Sequence, residues 1–258
     1  MSSSSLPSLP LPPSPPSPPS PLSQPSPLKC LEGKNIFVFD TETTGLPYKS
    51  PNGWGTYWHY NMNEKYESAR IVSIAWSSIH NFQKEKVDTD TNTDTNTKIE
   101  HYLRFPEGFT EINNSHIHGI TYDDIVKHGF TLNELLLKKG LCVDILKAEY
   151  IVAHNIGFDY HVLMNELYRL GTEHAKACME HLKILKDKGK CICTAELSTD
   201  ICKMEFKTVS NYKGSKKVKT YKMPKLSELY VYYFGKEFEN QHSADGDVKA
   251  LLEIISMI

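Results

Sequence analysis

Ile36-Phe37-Val38-Phe39 is an apolar run with no polar residue alternating into it. A strand that is apolar on both faces has to be covered on both. This excludes a sheet with one face in water and predicts helices packed on either side. The run leads directly into Asp40-Thr41-Glu42 and then Thr43-Thr44-Gly45-Leu46. Side chains alternate along a strand, so Asp40 and Glu42 project together. Neighbouring carboxylates repel unless a cation neutralises them. All-oxygen ligands of this kind suit Mg²⁺ or Mn²⁺. Taken alone, a pair of solvated acids at a strand end would look the same, so the partners must come from elsewhere in the chain.

Further strand signals lie at Arg70–Ile79, Ile99–Phe105, Tyr150–His154 and Lys190–Leu197. The polar repeat Asp88–Thr97 between the second and third predicts an exposed hairpin tip. Helices are predicted over Thr121–Gly129 and Thr131–Leu146, which open Thr-x-x-Asp and Thr-x-x-Glu. Others follow the fourth strand to Leu170 and occupy Ala175–Asp187. Two more cover Pro224–Gly235, with proline in its first turn, and Ala244–Ile258. Three hairpin-linked strands and then alternating helices and strands predict an α/β fold with a mixed five-stranded sheet flanked by helices.

Residues 1–27 hold 11 of the chain's 15 prolines and no charged side chain. Proline removes backbone donors and favours extended polyproline II, so this stretch predicts a disordered tail, with residues 28–258 as the folded domain. It has neither the basic start nor the continuous apolar core of a signal peptide. No apolar run approaches the ~20 residues of a membrane-spanning helix. Six cysteines without scaffold spacing agree with reduced thiols, so an intracellular location, cytoplasmic or nuclear, is expected. A formal net charge of −2 argues against wholesale coating of nucleic acid, although a sum can conceal local patches.

Two more clusters carry chemistry. In Ala153-His154-Asn155-Ile156-Gly157-Phe158-Asp159 an apolar strand ends and Asp159 falls one turn into the next helix, the position where open α/β sheets place ligands. By itself Asp159 could simply favour the positive helix N-terminus. In His242-Ser243-Ala244-Asp245-Gly246-Asp247 a histidine precedes a serine N-cap and an acid follows on the helix.

The ordered set Asp-x-Glu, His-Asn-x-x-Phe-Asp and His-x-Ala-x-x-Asp resembles the DEDDh 3′→5′ exonucleases, the DnaQ-like family of the DNA polymerase III proofreading subunit. Ile117–Thr121, reading IHGIT, is similar to a segment common in that branch. The resemblance implies a ribonuclease H-like fold, two Mg²⁺ (or Mn²⁺) ions, and removal of nucleotides from the 3′ ends of single-stranded DNA or RNA. A polymerase or other replication or repair protein would be a candidate partner. The five matching positions are Asp40, Glu42, Asp159, His242 and Asp247. Two metals about 4 Å apart can stabilise both the attacking and the leaving oxygen of a phosphoryl displacement. Asp40 would bridge them, Glu42 and Asp247 would complete one site, and Asp159 would support the other. An imidazole titrates near neutrality, about 6.5, which suits His242 to take a proton from water.

By the same resemblance, Thr43, Thr44 and Gly45 would bring backbone close to the terminal nucleotide. Leu46 would wedge against its base, His118 would contact it, and Asn155 and Phe158 would shape the pocket. Core packing is the other reading of Leu46 and Phe158, and an ordinary loop role that of His118. Two segments are insertions. Residues 47–69 carry Trp54, Tyr57, Trp58, Tyr60 and Tyr66, which either stack single-stranded bases or pack the insertion onto the domain. The other is 203–223; residues 203–225 hold eight lysines against one glutamate, a phosphate-tracking patch or a soluble loop. Cys178, His181, Cys191 and Cys193 could supply zinc donors, but buried free cysteines suit the predicted strand better. An alternative function is a nucleic-acid-binding or polymerase-docking module without catalysis.

Overall fold

The computed structural model describes residues 28–53, 55–84, 98–109, 112–205 and 221–258. Residues 1–27 (expected as a tail), Trp54, the 88–97 repeat and most of the lysine-rich segment lie outside them. The sheet comprises β1 (Ile36–Thr43), β2 (Ile71–Ile79), β3 (Glu100–Leu103), β4 (Tyr150–Ala153) and β5 (Cys191–Cys193). Its order is β3-β2-β1-β4-β5. The β1–β2 and β2–β3 pairs are antiparallel, and β1–β4 and β4–β5 are parallel. Helices follow as α1 (Ser115–His118), α2 (Tyr122–His128), α3 (Leu132–Lys138), α4 (Leu141–Lys147), α5 (Ile156–Leu170), α6 (Glu173–Asp187), α7 (Thr194–Cys202), α8 (Leu226–Phe234) and α9 (Ala244–Met257).

The apolar run at 36–39 is buried on both faces. Phe37 and Phe39 join Trp76, Ile151 and residues of α3 to α6 in one core layer. Ile36 and Val38 face the other way, with Ala75 and Val152, onto α8 and α9. Each such side chain, fully buried, contributes about 1.5–3 kcal/mol, so the run pins both layers to the central strand.

Several local expectations are corrected. The acids do not stand where β1 ends, because pairing with β2 carries the strand on to Thr43, setting Asp40 opposite Ala75 and Glu42 opposite Ser73. It is the other partner that stops: β4 pairs only with Ile36–Val38. The helix expected over Thr131–Leu146 is two, α3 and α4, broken by Gly140 at φ +86, a left-handed conformation that glycine adopts without strain. The strand expected over Lys190–Leu197 stops at Cys193, and Thr194 begins α7, which sequence signals missed. Pro224 lies ahead of α8, whose N-cap is Lys225. The capping boxes at Thr121 and Thr131 both form.

A buried ionic network ties α5 to the sheet. Glu166 on α5 receives Arg70 Nε at 2.7 Å and Nη2 at 3.1 Å, together with the Ile71 N–H at 3.1 Å. Arg104, just beyond β3, adds Nη1 at 3.0 Å. The Arg70 and Arg104 side chains are 7% and 3% exposed and Glu166 is 1% exposed, so the acid cannot find water in place of its partners. The described cysteines are all free. Cys178 faces Cys142, Sγ to Sγ 3.4 Å, and His181 Nε2 meets the Ala148 carbonyl, so the candidate zinc donors have separate partners. Among the described residues no helix is long and apolar enough to cross a membrane.

Candidate active site

Where β1 loses its β4 partner, its side chains face two helices. On the α9 face stand half-buried Asp40 and Glu42. Asp247, in the first turn of α9, completes a group in which one oxygen from each carboxylate lies within 4.8 Å of the others. On the opposite parity, buried Thr41 donates to Asp159 Oδ1 from its N–H at 3.0 Å and its hydroxyl at 2.7 Å. Asp159 is itself buried, in the first turn of α5. Strand alternation therefore supplies two carboxylates directly and grips a third through the residue between them.

The electrostatics follow from that crowding. Burial raises the Asp40 carboxyl well above the usual range, and Asp159, Asp247 and Glu42 push it further. Burial, then Asp247 and Asp159, lift Glu42 to about 8. Asp159 rises to about 7 through burial, with the Thr41 bonds opposing. Asp247 also rises to about 7, through burial, with the His242 N–H opposing and Asp245 adding. Asp247 Oδ1 is buried and has no hydrogen-bond partner. An unpartnered buried oxygen within a set of mutually repelling acids is the donor arrangement a hard divalent cation satisfies.

His242 lies exposed at φ +64, immediately before Ser243, the N-cap of α9. A cleft of about 440 Å³ is lined by Asp40, Asp247, His242, Asn155, His154 and Lys225, among others. His154 opens the His-Asn-x-x-Phe-Asp motif, where the sequence assigns it no role of its own. Burial holds its pKa at about 4, opposed by its bond to the Pro224 carbonyl. Neutral, it donates from Nε2 to that carbonyl and accepts at Nδ1 from the Thr194 hydroxyl, 2.9 Å in each case. It thereby fixes one wall of the cleft. The histidine in the Ala-His-Asn run was the available signal, but its partners lie 40 and 70 residues away.

The other expected residues separate into groups. Leu46 is 71% exposed, so core packing does not account for it, whereas Phe158 packs against the main core. Thr43 bonds to the Gly45 carbonyl, and Thr44 bonds to Ser68 and Arg70. A Cβ at Gly45 would meet the Ser68 carbonyl at 2.6 Å, so its close approach is to this chain's own backbone. His118 reaches the Thr43 carbonyl from Nε2 at 3.3 Å and accepts the Ile120 N–H at Nδ1, which leaves neither nitrogen free. Asn155 caps α5 in the left-handed region at φ +59.

The aromatic-rich segment after β1 lies against α5. Tyr57 stacks on His161 at 4.9 Å, Tyr66 is buried, and Asn165 donates to the Tyr60 carbonyl at 2.7 Å.

Layering, sheet order and the carboxylate group together define an α/β protein of the ribonuclease H-like fold with a candidate cation site. Residues 37–255 match the exonuclease family designated RNase_T, and the chain belongs to that family. No curated protein matches the chain at the sequence level. Its fold is similar to that of E. coli exonuclease I in a zinc-bound complex with single-stranded DNA. The TM-score is 0.53 at 15% identity, covering 85% of this chain and 39% of that one. It is also similar to a 3′-exonuclease that recognises a histone mRNA stem-loop, with a TM-score of 0.52 at 13% identity, covering 87% and 63%. This chain thus spans well under two thirds of the exonuclease I chain.

Proposed function

We propose that this exonuclease is of the DEDDh type, dependent on divalent metal, and shortens single-stranded nucleic acid from its 3′ end, releasing nucleoside 5′-monophosphates. The observation that carries the reading is the Asp40–Glu42–Asp247 group with its unpartnered buried oxygen. Those three residues would hold a cation, and Asp159, fixed by Thr41, would serve a second; Mg²⁺ or Mn²⁺ suits oxygen donors. Bound there, divalent ions supply charge stabilisation at the phosphate and acidify water.

The chain's own residues do the rest. His242 takes the proton of the attacking water at an imidazole nitrogen. The water oxygen bonds to phosphorus as the P–O3′ bond breaks, and the departing O3′ takes a proton from solvent, leaving a 5′-monophosphate and a strand one nucleotide shorter that ends in a 3′-hydroxyl. Exposed Leu46, three residues beyond the end of β1, contacts the terminal base. Asn155 and His154 line the same cleft as His242. The 3′ direction is supported by the resemblance to one solved 3′-exonuclease.

The test is a time course with 3′-labelled and 5′-labelled strands, DNA beside RNA, in Mg²⁺ or Mn²⁺ and in EDTA, comparing wild type with Asp40→Ala. Stepwise 3′ shortening that is lost in EDTA and in the variant is expected. Intact strands in every lane, from folded protein that still retards them in a gel, would instead favour a binding module.

A further inference from the structure

We propose that His101 is a positioning residue for the loop that carries His242: from β3 it anchors Asp245, and through Asp245 and Ser243 it holds His242 at the cleft. The inference rests on the reading of His242 given above.

The loop between α8 and α9 is conformationally demanding. Asn240 at φ +58 and His242 at φ +64 are both left-handed and neither is glycine. Such residues persist only where the surroundings over-determine them. Some of that determination comes from α9 itself. The Ser243 N–H donates to the Asn240 carbonyl at 3.2 Å, and Gly246 N–H reaches the Ser243 hydroxyl at 3.4 Å. A Cβ at Gly246 would stand 2.3 Å from the Asn240 carbonyl oxygen, so the loop backbone lies directly on the helix.

These contacts tie the loop to α9, whose apolar face already packs on β1 and β2. His101 adds a polar tie from β3 to the first turn of α9, next to that loop. Its Nε2 bonds to the Ser73 hydroxyl at 2.9 Å, and its Nδ1 lies 3.3 Å from Asp245 Oδ1. The same Asp245 oxygen accepts the Ser243 hydroxyl. Ser73 stands opposite Glu42 in the β1–β2 register, and His101 stands opposite Ala75, whose side chain packs in the α9 layer. The path therefore runs from the strand beside Glu42, across β3, to the residue following His242.

The order serine, histidine, aspartate has the look of a nucleophilic triad. Ser73 is fully buried, however, and no substrate carbonyl could reach it. The geometry leaves a mechanical role. Asp245 is also the acid that adds to the charge around Asp247, and His101 stands beside it as a partner.

The test uses full-length His101→Ala, His101→Asn and Asp245→Asn, and the His101→Ala/Asp245→Asn pair. It reads kcat and KM on single strands in Mg²⁺, and relaxation dispersion at the His242 backbone amide. In His101→Ala and in Asp245→Asn, kcat falls about tenfold, part of the 10²–10⁴ that a positioned base supplies. KM stays within about twofold, and microsecond-to-millisecond exchange appears at His242. The paired variant is no slower than the worse single one, because both break the same path. His101→Asn, which keeps a donor toward Asp245, recovers part of the rate. Unchanged kcat in folded variants with a silent His242 amide overturns the proposal. So does a lowered melting temperature with kcat per folded molecule intact. If the wild type cleaves no strand, the functional reading fails, and the His242 amide alone decides whether His101 anchors the loop.

Discussion

Replacing Glu42 with glutamine should make the metal-free protein more stable, although it removes a residue assigned to the active site. Glutamine keeps the shape and discards the charge. Burial and the neighbouring acids raise the Glu42 carboxyl from an ordinary 4.5 to about 8, so the folded state binds its proton more tightly than the unfolded state. Below pH about 4.5 the group becomes protonated in both states and its cost vanishes. Between pH about 4.5 and 8 the unfolded state ionises first, and folding stability declines with rising pH. At about 1.4 kcal/mol per pH unit the ceiling is about 5 kcal/mol. Asp159, Asp247 and Asp40 titrate with Glu42 and share that cost, so about 2 kcal/mol is expected from the single substitution.

For a domain of this size that is a rise of about 4–8 °C in melting temperature. The assay is thermal unfolding of wild type and Glu42→Gln in EDTA, near pH 9 and near pH 4.5. The gap should open at the higher pH and close at the lower one. Mg²⁺ should then reverse the order, because a cation that binds only the folded wild type stabilises it by about 2.7 kcal/mol at 100 times its Kd. A variant less stable than wild type in EDTA near pH 9 would refute the reasoning, as would a gap of equal size at both pH values.

Glu166→Ala strands Arg70 and Arg104 in the interior, and unfolding in urea should show a loss of about 3–5 kcal/mol; a loss under 1 kcal/mol would mean that Glu107 takes over both guanidinium groups. Gly246→Ala drives a Cβ against the Asn240 carbonyl, and the overpacking should lower stability by about 1–3 kcal/mol in denaturant melts despite alanine's better helix propensity. The same variant should lose most nuclease activity, read on end-labelled strands, because the His242 loop has to lift off α9.

What could be read in the chain was whatever is encoded within a few residues. The apolar run at 36–39 required cover on both faces, and the Thr121 and Thr131 capping boxes close within three residues of themselves. Asp40 and Glu42 share a face because strands alternate. Gly140 shows where even local signals fail, since one glycine at a left-handed turn divided an apolar stripe that periodicity continued straight through. The short β5 and the onset of α7 were likewise decided by pairing with β4, which supports only Cys191–Cys193.

Contacts between distant residues were left to the tertiary structure. Arg70 and Glu166 are 96 residues apart, and Thr41 and Asp159 are 118 apart. Nothing local marks either pair, because each forms only after the sheet has brought α5 beside β1 and β2. His101 on β3 carried no motif at all, and its place between Ser73 and Asp245 exists only once α9 lies across the sheet. Sequence alone determined which residue types were available for metal and proton chemistry. Only the closed fold decided which of them stand within reach of one another, because distance in the chain says nothing about distance across a sheet until strand order and register are set.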